Sequence, residues 1–181
     1  MILRNLCQQY ATKGQIEAII LRPARDETAV LVGEVRAEPG LGLIGDRRAS
    51  NVCSGRQSTK RELTLFQAEH LPVVANWCGL AVLEPIRLRR NLLISGLNLV
   101  SMRSPFPDVV LEWALGDEVI IQITGACDPC SKMAKELGLG SYNALRGHGG
   151  MTARILSGGL IHVGDSVGLS AIHQLEPKAC L

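Results

Sequence analysis

Short apolar runs, broken by glycine, proline and charged residues, dominate this chain of 181 residues and constrain its fold most strongly. The runs are rich in β-branched residues and most are shorter than about eight residues, which is typical of strands. The predicted strands are residues 16–21, 29–35, 63–66, 91–94, 109–113, 119–123, 152–156 and 166–169.

Helices are predicted at few positions. Residues 67–78 have an apolar face and end before Gly79, and Pro72 fits a first helical turn or delays the start. Residues 131–137 have helical periodicity, and residues 142–145 add one turn. Because the strands are many and do not alternate with helices, we predict a β-rich mixed α/β fold. Its core is a closed or nearly closed β-barrel with a few peripheral helices.

The segments between the predicted strands, and the length of the chain, add two further predictions about the fold. Residues 39–46 are predicted to form a glycine-rich loop, and residues 47–60 to form a polar, mobile segment. A chain of 181 residues can bury one substantial core, so we expect a single domain over residues 1–181 with its core at about residues 15–170.

Composition excludes several classes of protein. A net charge of +2 and only six aromatic residues argue against a nucleic-acid partner. No apolar stretch approaches the ~18 residues of a membrane helix, and no export signal is visible, so we expect a cytoplasmic protein without a membrane partner. In that compartment the six cysteines are expected to be reduced thiols.

Cys127 and Cys130 form the one close cysteine pair, and Cys130 directly precedes the predicted helix at residues 131–137. A thiol at a helix start meets unpaired backbone N–H groups, and Lys132 adds a nearby positive charge. Both favour the thiolate, which is the reactive and metal-binding form of cysteine. Cys130 is therefore the first candidate for a catalytic residue.

The spacing of this pair allows four interpretations. A structural zinc site needs four ligands, but only one cysteine pair is present here. A thioredoxin-like redox pair occurs early in an α/β fold, whereas this pair comes late in a strand-rich chain. The pair could also be two ordinary half-buried cysteines. We favour a single reactive thiolate at Cys130, with Cys127 as its neighbour or as a resolving thiol.

Two basic clusters could hold an anion. Arg89, Arg90 and Asn91 lead into an apolar strand, and Arg47 with Arg48 follows the glycine-rich loop. Guanidinium groups grip phosphate with two parallel hydrogen bonds, so either cluster could bind an anionic cofactor or substrate. An ordinary solvated surface is the alternative for both.

The segment at residues 145–150 contains three glycines around Arg146 and His148. Glycine allows a backbone to approach a ligand closely, and these two side chains add one fixed and one titratable charge. The segment is therefore a candidate cofactor-binding loop, or else a strand-entry loop with exposed polar side chains.

Taken in order, several segments resemble the MOSC family, the module named for the C-terminal domain of molybdenum-cofactor sulfurases. The resemblance extends over about residues 15–170. The matching segments are residues 42–47, 61–71, 88–92, 116–117, 129–133, 145–150 and 163–165.

The resemblance implies a β-barrel-rich fold with one essential cysteine, which falls on Cys130. In the family this thiol is proposed to ligate molybdenum of the pterin cofactor or to carry sulfur as a persulfide. Relatives such as the mitochondrial amidoxime-reducing component reduce N-hydroxylated compounds with electrons from partner proteins. The implied partners are therefore a small-molecule substrate and either a sulfur donor or an electron-transfer protein.

The chain departs from the family pattern in three ways. Many relatives have a histidine shortly after the Gly-Asp pair, where this chain has Arg47-Arg48-Ala49. The pyridoxal-phosphate sulfurase domain of some relatives has no counterpart here, so no pyridoxal-phosphate site is expected. Cys127 is not a family requirement.

The resulting hypothesis is an enzyme, either a molybdenum-dependent oxidoreductase or a sulfur transferase. Its reaction would be the reduction of N-hydroxylated compounds or a step in the maturation of a metal–sulfur cluster or cofactor. The alternative is a non-catalytic module that binds an anion or cofactor and in which the cysteine is merely buried.

Overall fold

The computed structural model of the chain describes residues 2–53 and 60–176, and for residues 51–53 it describes only the backbone. The strands, numbered along the chain, are β1 (Gly14–Leu21), β2 (Val30–Val32), β3 (Glu34–Glu38), β4 (Gly42–Leu43), β5 (Leu63–Gln67), β6 (Leu92–Ser95), β7 (Val109–Leu115), β8 (Val119–Ala126), β9 (Met151–Ser157), β10 (Gly159–His162) and β11 (Ser166–Gln174). The α-helices are α1 (Leu3–Leu6), α2 (Arg47–Cys53), α3 (His70–Trp77), α4 (Ser131–Leu137) and α5 (Ser141–Ala144). Short 3-10 helices cover Pro85–Leu88 and Leu99–Met102.

Seven of these strands close into a barrel. The ring runs β1, β6, β5, β9, β8, β7 and β11, and β11 pairs with β1 to complete it. β2 extends from β1 as an additional strand. The β5–β6 pair is parallel, and the other pairings among the described strands are antiparallel. The predicted β-rich mixed barrel with a few helices is therefore confirmed.

The barrel interior is the main hydrophobic core. In β7, buried and half-buried residues alternate along the strand, as expected when one face points inward. Trp113 lies on the inward face and is 1% exposed, and its indole N–H donates to the carbonyl of Met102 at 2.9 Å. That bond satisfies the one polar group of the largest core side chain.

A second hydrophobic cluster lies between the barrel wall and the helices. β5 and β6 contribute side chains to both clusters, because the barrel interior covers one face and the helices cover the other. Met133 and Leu137 anchor α4 in the second cluster. Full burial of such a side chain contributes about 1.5–3 kcal/mol to stability. The residue that precedes α4, Cys130, is thereby held at a fixed place on the barrel wall.

A second sheet, formed by β10, β3 and β4, packs onto the main core through Val35, Ala37, Leu43 and Ile161. Its formation divides the strand predicted at residues 29–35 into β2 and β3 on either side of Gly33. β4 lies inside the predicted glycine-rich loop, and β10 was not predicted. Both are very short, so neither has a clear periodicity of its own.

Two local predictions need correction. The segment predicted to be mobile begins with α2, because the Asp46 carboxylate accepts the backbone N–H of Arg48 at 3.0 Å and so caps the helix start. The remainder of that prediction, at residues 54–59, lies outside the described residues. The helix predicted from residue 67 begins instead at His70, because Gln67 continues β5 and pairs with Ile94.

Within residues 2–53 and 60–176, no helix has the length and apolar character that crossing a membrane would require.

The helix α4 matches its predicted bounds. It is followed by Gly138, which caps its C-terminus with φ 93°.

Candidate functional site

A cavity of about 620 Å³ lies at one end of the barrel. The ends of β1 and β8 meet the starts of β5, β6 and β9 there, as the strand registers require. Its lining combines seven cationic side chains with three carboxylates and two thiols. The lining residues are Arg22, Asp46, Arg47, Arg48, Lys60, Arg61, Glu62, Thr64, Arg89, Arg90, Asn91, Thr124, Gly125, Ala126, Cys127, Asp128, Pro129, Cys130 and Thr152. We call this cavity the cationic pocket, since its charge favours an anionic ligand.

A buried polar network forms one side of the cationic pocket, with Asp46 at its centre. Asp46 is 1% exposed, and its Oδ2 accepts from the backbone N–H and Nε of Arg22, each at 3.1 Å. The same oxygen accepts from Asn91 Nδ2 at 3.1 Å. Asn91 Oδ1 in turn accepts from the Thr64 hydroxyl at 2.7 Å. Both ends of the Asn91 amide are thus engaged, so this predicted cofactor-binding residue lines the pocket while it holds neighbouring elements together.

The Arg90 guanidinium also donates its hydrogen bonds to other groups of the protein. It is 4% exposed, and its Nε donates to the carbonyl of Gly149 at 2.7 Å. Nη2 donates to the carbonyls of Cys127 and Asp128 at 3.0 and 3.3 Å, and Nη1 donates to Leu88 at 3.4 Å. Burial lowers the pKa of Arg90, and the nearby Cys127 and Cys130 sulfurs oppose that shift. These bonds position the segment that leads to Cys130.

Arg47 and Arg89 are different, because neither guanidinium makes a hydrogen bond to any described residue. Both side chains are half-buried in the cationic pocket. Burial lowers the pKa of Arg47, and the positive charges of Arg22 and Arg89 lower it further. Arg89 has φ 56°, which is rare for a residue other than glycine, and its carbonyl is held by Arg22 Nη1 at 3.0 Å. Two neighbouring cations with spare donors make the pocket suited to an anionic group.

Cys130 lies at the mouth of the pocket with an exposed side chain, as the residue immediately before α4. Loss of solvation raises the pKa of its thiol. The backbone N–H groups of Met133 and Lys132, together with the charges of Arg89 and Arg90, lower it by more. The net shift is downward, so a larger share of the thiol is ionised at neutral pH than for a free cysteine.

The side chain of Lys132 is placed differently from our expectation. It is exposed, it is absent from the lining of the cationic pocket, and its Nζ lies 3.4 Å from Asp26 Oδ1. Its backbone N–H, rather than its ammonium group, favours the Cys130 thiolate. The positive charge near the sulfur comes from Arg89 and Arg90, which precede β6.

Cys127 lines the same pocket but is 1% exposed. Arg61 Nη2 lies 3.0 Å from its Sγ, and its backbone N–H donates to the carbonyl of Gly150 at 2.8 Å. Both Cys127 and Cys130 are free thiols. The two sulfurs thus share a pocket while differing in access: one is exposed at the mouth, and the other is buried in the wall.

Arg146 and His148 are not brought into the cationic pocket. Arg146 is exposed, and the His148 ring packs edge-on against the rings of His70 and Trp77, with centroids 4.8 and 4.9 Å away. The glycines of this loop approach the protein itself, since a Cβ on Gly149 would overlap the carbonyl oxygen of Cys127. The loop therefore contributes backbone carbonyls that hold Arg90 and Cys127, and no side chain to the pocket.

Several pocket residues were not among the predicted site residues. Arg22 follows the end of β1, and Arg61 precedes β5 by two positions. Asp46 lies directly beside Arg47, a predicted site residue, so adjacency in the sequence was a usable signal for it. Arg22 and Arg61 belong to neither of the two predicted basic clusters, and the folded barrel brings them to the pocket.

The zinc interpretation receives no support from the geometry. Among the residues that the structure describes, no group of three or more His, Cys, Asp or Glu side chains is arranged to hold a metal ion.

The residues present fit an anionic cofactor that carries a metal. The cationic pocket has the volume of a typical small-molecule site, and Arg47 and Arg89 offer guanidinium groups that bind no other described residue. The Cys130 thiolate is a soft ligand of the kind that binds transition metals. Both features lie in one cavity, which makes a molybdenum–pterin group chemically compatible with the site.

Comparisons with solved structures identify proteins that share this fold. The YuaD protein from Bacillus subtilis superimposes with a TM-score of 0.69 at 14% identity, covering 91% of this chain and 98% of that chain. YiiM from Geobacillus stearothermophilus gives a TM-score of 0.64 at 19% identity, with 87% of this chain and 75% of that chain covered. YiiM from Escherichia coli gives 0.63 at 18% identity, with 87% and 70% covered. At these identities the likeness is one of fold. No curated protein matches the chain significantly.

The profile of the MOSC domain matches residues 47–168, which is more than half of the chain. The matched range includes α2, the arginines before β6 and the segment that carries Cys130. MOSC domains are associated in general with binding of the molybdenum cofactor and with sulfur-related chemistry. The chain belongs to the MOSC domain family.

Proposed function

We propose that this protein is an enzyme that binds an anionic molybdenum–pterin cofactor in the cationic pocket, with the Cys130 thiolate as the protein ligand of the metal. One observation carries the proposal: an accessible thiol with a lowered pKa shares a cavity with two arginines whose guanidinium groups make no hydrogen bond to any described residue. A buried cysteine in a neutral cleft would not support it. Reduction of N-hydroxylated small molecules is the reaction that the family resemblance suggests.

Each part of the site has a distinct task in this proposal. Arg47 and Arg89 hold the anionic group of the cofactor, because their guanidinium groups bind nothing else in the described part of the chain. Cys130 supplies the thiolate, and the start of α4 with Arg90 keeps it ionised and in place. The cofactor, when bound, supplies the redox chemistry. An electron-transfer protein would deliver the electrons that such a reduction consumes.

A second function, sulfur transfer, is favoured by the second thiol in the same pocket. The Cys130 thiolate would attack the terminal sulfur of a donor persulfide, so that a Cys130 persulfide forms and the donor thiolate leaves. Attack by the Cys127 thiolate on the inner sulfur would then form a Cys127–Cys130 disulfide and release hydrosulfide. In this route the arginines stabilise the anionic sulfur species.

Elemental and sulfur analysis separates these functions. The protein would be purified under anaerobic, reducing conditions, and bound molybdenum and cyanolysable sulfur would be measured for the wild type and for Cys130→Ala. Stoichiometric molybdenum that is lost in Cys130→Ala is the expected result. Cyanolysable sulfur without metal would instead favour the sulfur-transfer function. Cys78→Ala is the matched control, because that thiol is half-buried and lies outside the cationic pocket.

The non-catalytic alternative predicts a different thiol chemistry. If the protein were only a binding module, Cys130 would alkylate no faster than a free cysteine and with an unshifted pH profile. An iodoacetamide titration with mass-spectrometric assignment of the modified residue tests this directly. Such a result would exclude both catalytic functions at once.

A further inference from the structure

A second cavity, of about 760 Å³, lies behind the wall of the cationic pocket. It is bounded by the segment around the 3-10 helix at Leu99–Met102, by the glycine loop before β9 and by the end of β8. Its lining residues are Cys7, Asn98, Val100, Ser101, Arg103, Ser104, Pro105, Ala126, Cys127, Asp128, Gly147, Gly149, Gly150 and Met151. We call it the rear cavity. It is larger than the cationic pocket, and the proposed function does not use it.

The rear cavity differs chemically from the cationic pocket. Val100, Pro105, Ala126 and Met151 give it an apolar lining. In the described part of the chain, Asp128 is its one carboxylate and is shared with the cationic pocket. An apolar surface of this size suits the hydrocarbon or aromatic body of a small molecule, which would gain stability by leaving water.

Two exposed polar residues at the rim of the rear cavity have side-chain donors that no described residue uses. The Arg103 guanidinium and the Asn98 Nδ2 group make no hydrogen bond to any described residue. Asn98 itself is held in place, because its Oδ1 accepts the backbone N–H of Val100 at 3.1 Å. Spare donors beside an apolar surface fit a ligand with an acceptor group, and the charge of Arg103 favours an anionic one.

We infer that the rear cavity is a binding site for a small amphiphilic anion, that is, an apolar ring or chain that bears one carboxylate or sulfonate. The apolar body lies against Val100, Pro105 and Met151, and the anionic group pairs with Arg103. This inference does not depend on the proposed function, because none of these four residues lines the cationic pocket.

The wall between the two cavities connects this site to Cys130. Ala126, Cys127 and Asp128 line both cavities. Arg90 ties the carbonyls of Cys127 and Asp128 to that of Gly149, which lines the rear cavity. A ligand in the rear cavity would contact this wall, which leads to Cys130. Occupancy of the rear cavity is therefore expected to change the alkylation rate of Cys130.

Fluorescence titration with 8-anilinonaphthalene-1-sulfonate tests the inference, because this probe combines an apolar aromatic body with one sulfonate. We expect saturable binding at one site by the wild-type protein. Arg103→Gln should weaken binding by about tenfold, the size of one charge-assisted hydrogen bond. Val100→Asp should abolish it, since it places a negative charge on the apolar face. N-phenyl-1-naphthylamine, which has the same rings without the sulfonate, should bind the wild type more weakly.

Matched variants away from the cavity serve as controls. Arg36→Gln removes an exposed arginine, and Val82→Asp alters a valine that is 72% exposed; neither residue lines the rear cavity. Both should retain wild-type binding. Cys130→Ala should also retain it, so that loss of the proposed function does not mimic loss of this site. Absence of saturable binding, or equal affinity in Val100→Asp and the wild type, overturns the inference.

Discussion

The two sides of the cationic pocket use the same residue types for opposite purposes. On the buried side, Arg22, Arg90, Asp46 and Asn91 direct their hydrogen bonds to one another and to backbone carbonyls. On the open side, Arg47, Arg89 and Cys130 are partly exposed, and the guanidinium groups of the two arginines make no hydrogen bond to any described residue. Buried side chains whose hydrogen bonds are made within the protein therefore shape the site. Partly exposed side chains that make no such hydrogen bonds are available for binding a ligand.

The physical reason lies in the cost of desolvation. A buried charge without a partner is strongly unfavourable, so the buried Arg90 and the largely covered Arg22, whose side chain is 15% exposed, keep these positions because their donors are used. A half-exposed arginine keeps part of its hydration and can remain available for a ligand. If this division is correct, substitutions on the buried side should affect stability most, and substitutions on the open side should affect chemistry.

The largest effect is expected for Asp46→Ala. Removal of this carboxylate leaves Arg22 without its ion-pair partner in a mostly buried place, where the two side chains are only 2% and 15% exposed. We expect a loss of about 3–5 kcal/mol in the free energy of unfolding. Urea unfolding followed by circular dichroism measures it. Arg36→Gln, which breaks an exposed pair with Glu38, should cost less than about 1 kcal/mol. Equal losses in the two variants would contradict the comparison.

Arg90→Met and Arg89→Met compare neighbours on the two sides. The Arg90 variant leaves carbonyls of Cys127, Asp128 and Gly149 without their donor, and we expect a loss of about 2–3 kcal/mol. The Arg89 variant breaks no side-chain hydrogen bond among the described residues, so its stability should stay within about 0.5 kcal/mol of the wild type. The same unfolding experiment applies, and a larger loss in Arg89→Met would reverse the assignment of the two arginines.

A smaller effect is expected on the chemistry of Cys130 in Arg89→Gln. The charge of Arg89 helps to lower the pKa of the thiol, so its removal should raise that pKa and move the alkylation profile to higher pH. At neutral pH the alkylation rate should fall by roughly twofold to tenfold, because less thiolate is present. Stopped-flow alkylation over a pH series measures the shift. Lys132→Gln should leave the profile nearly unchanged, and Cys130→Ser should remove the fast phase.

The smallest expected effect lies away from the pocket, in the pH dependence contributed by His70. Burial lowers the pKa of His70, and the neighbouring His148 lowers it further. The unfolded chain therefore binds a proton at a higher pH than the folded protein, and stability should decrease as the pH falls below about 6.5. His70→Gln should flatten this part of the stability profile, whereas His162→Gln, on the second sheet, should retain it. Thermal unfolding between about pH 5 and pH 8 tests the difference.

The strand content was predictable because inward-facing positions of a barrel must be apolar. β7 and β8 alternate buried and half-buried residues, and each predicted core strand has a counterpart in the structure. α4 was predictable for a similar reason, since Met133 and Leu137 lie on one face and Gly138 ends the helix. The two-residue strand β4 and the start of α2 were not, because β4 forms only against β3 and α2 begins only where Asp46 is fixed by the network around Arg22.

The candidate site was predictable only in part. The thiolate character of Cys130 followed from a local feature, the start of a helix, and the structure agrees in the direction of the pKa shift. The sequence did not predict which positive charges lie near the Cys130 thiol, because the fold, and not closeness in the sequence, brings Arg89 and Arg90 to it. His148 shows the converse: it belongs to a loop that was predicted to bind a cofactor, but its ring lies outside the cationic pocket and packs against Trp77.

By itself, the sequence determined the strand-rich architecture, the position of Cys130 at a helix start and the family to which the chain belongs. These properties depend on apolar periodicity, on local capping and on ordered motifs, all of which can be read along the chain. Only the tertiary structure decided which pocket arginines donate hydrogen bonds within the protein and which have guanidinium donors available for a ligand. Hydrogen-bond satisfaction depends on which residues the fold brings together: Arg22 follows β1, Arg89 and Asn91 precede β6, and Asp46 precedes α2.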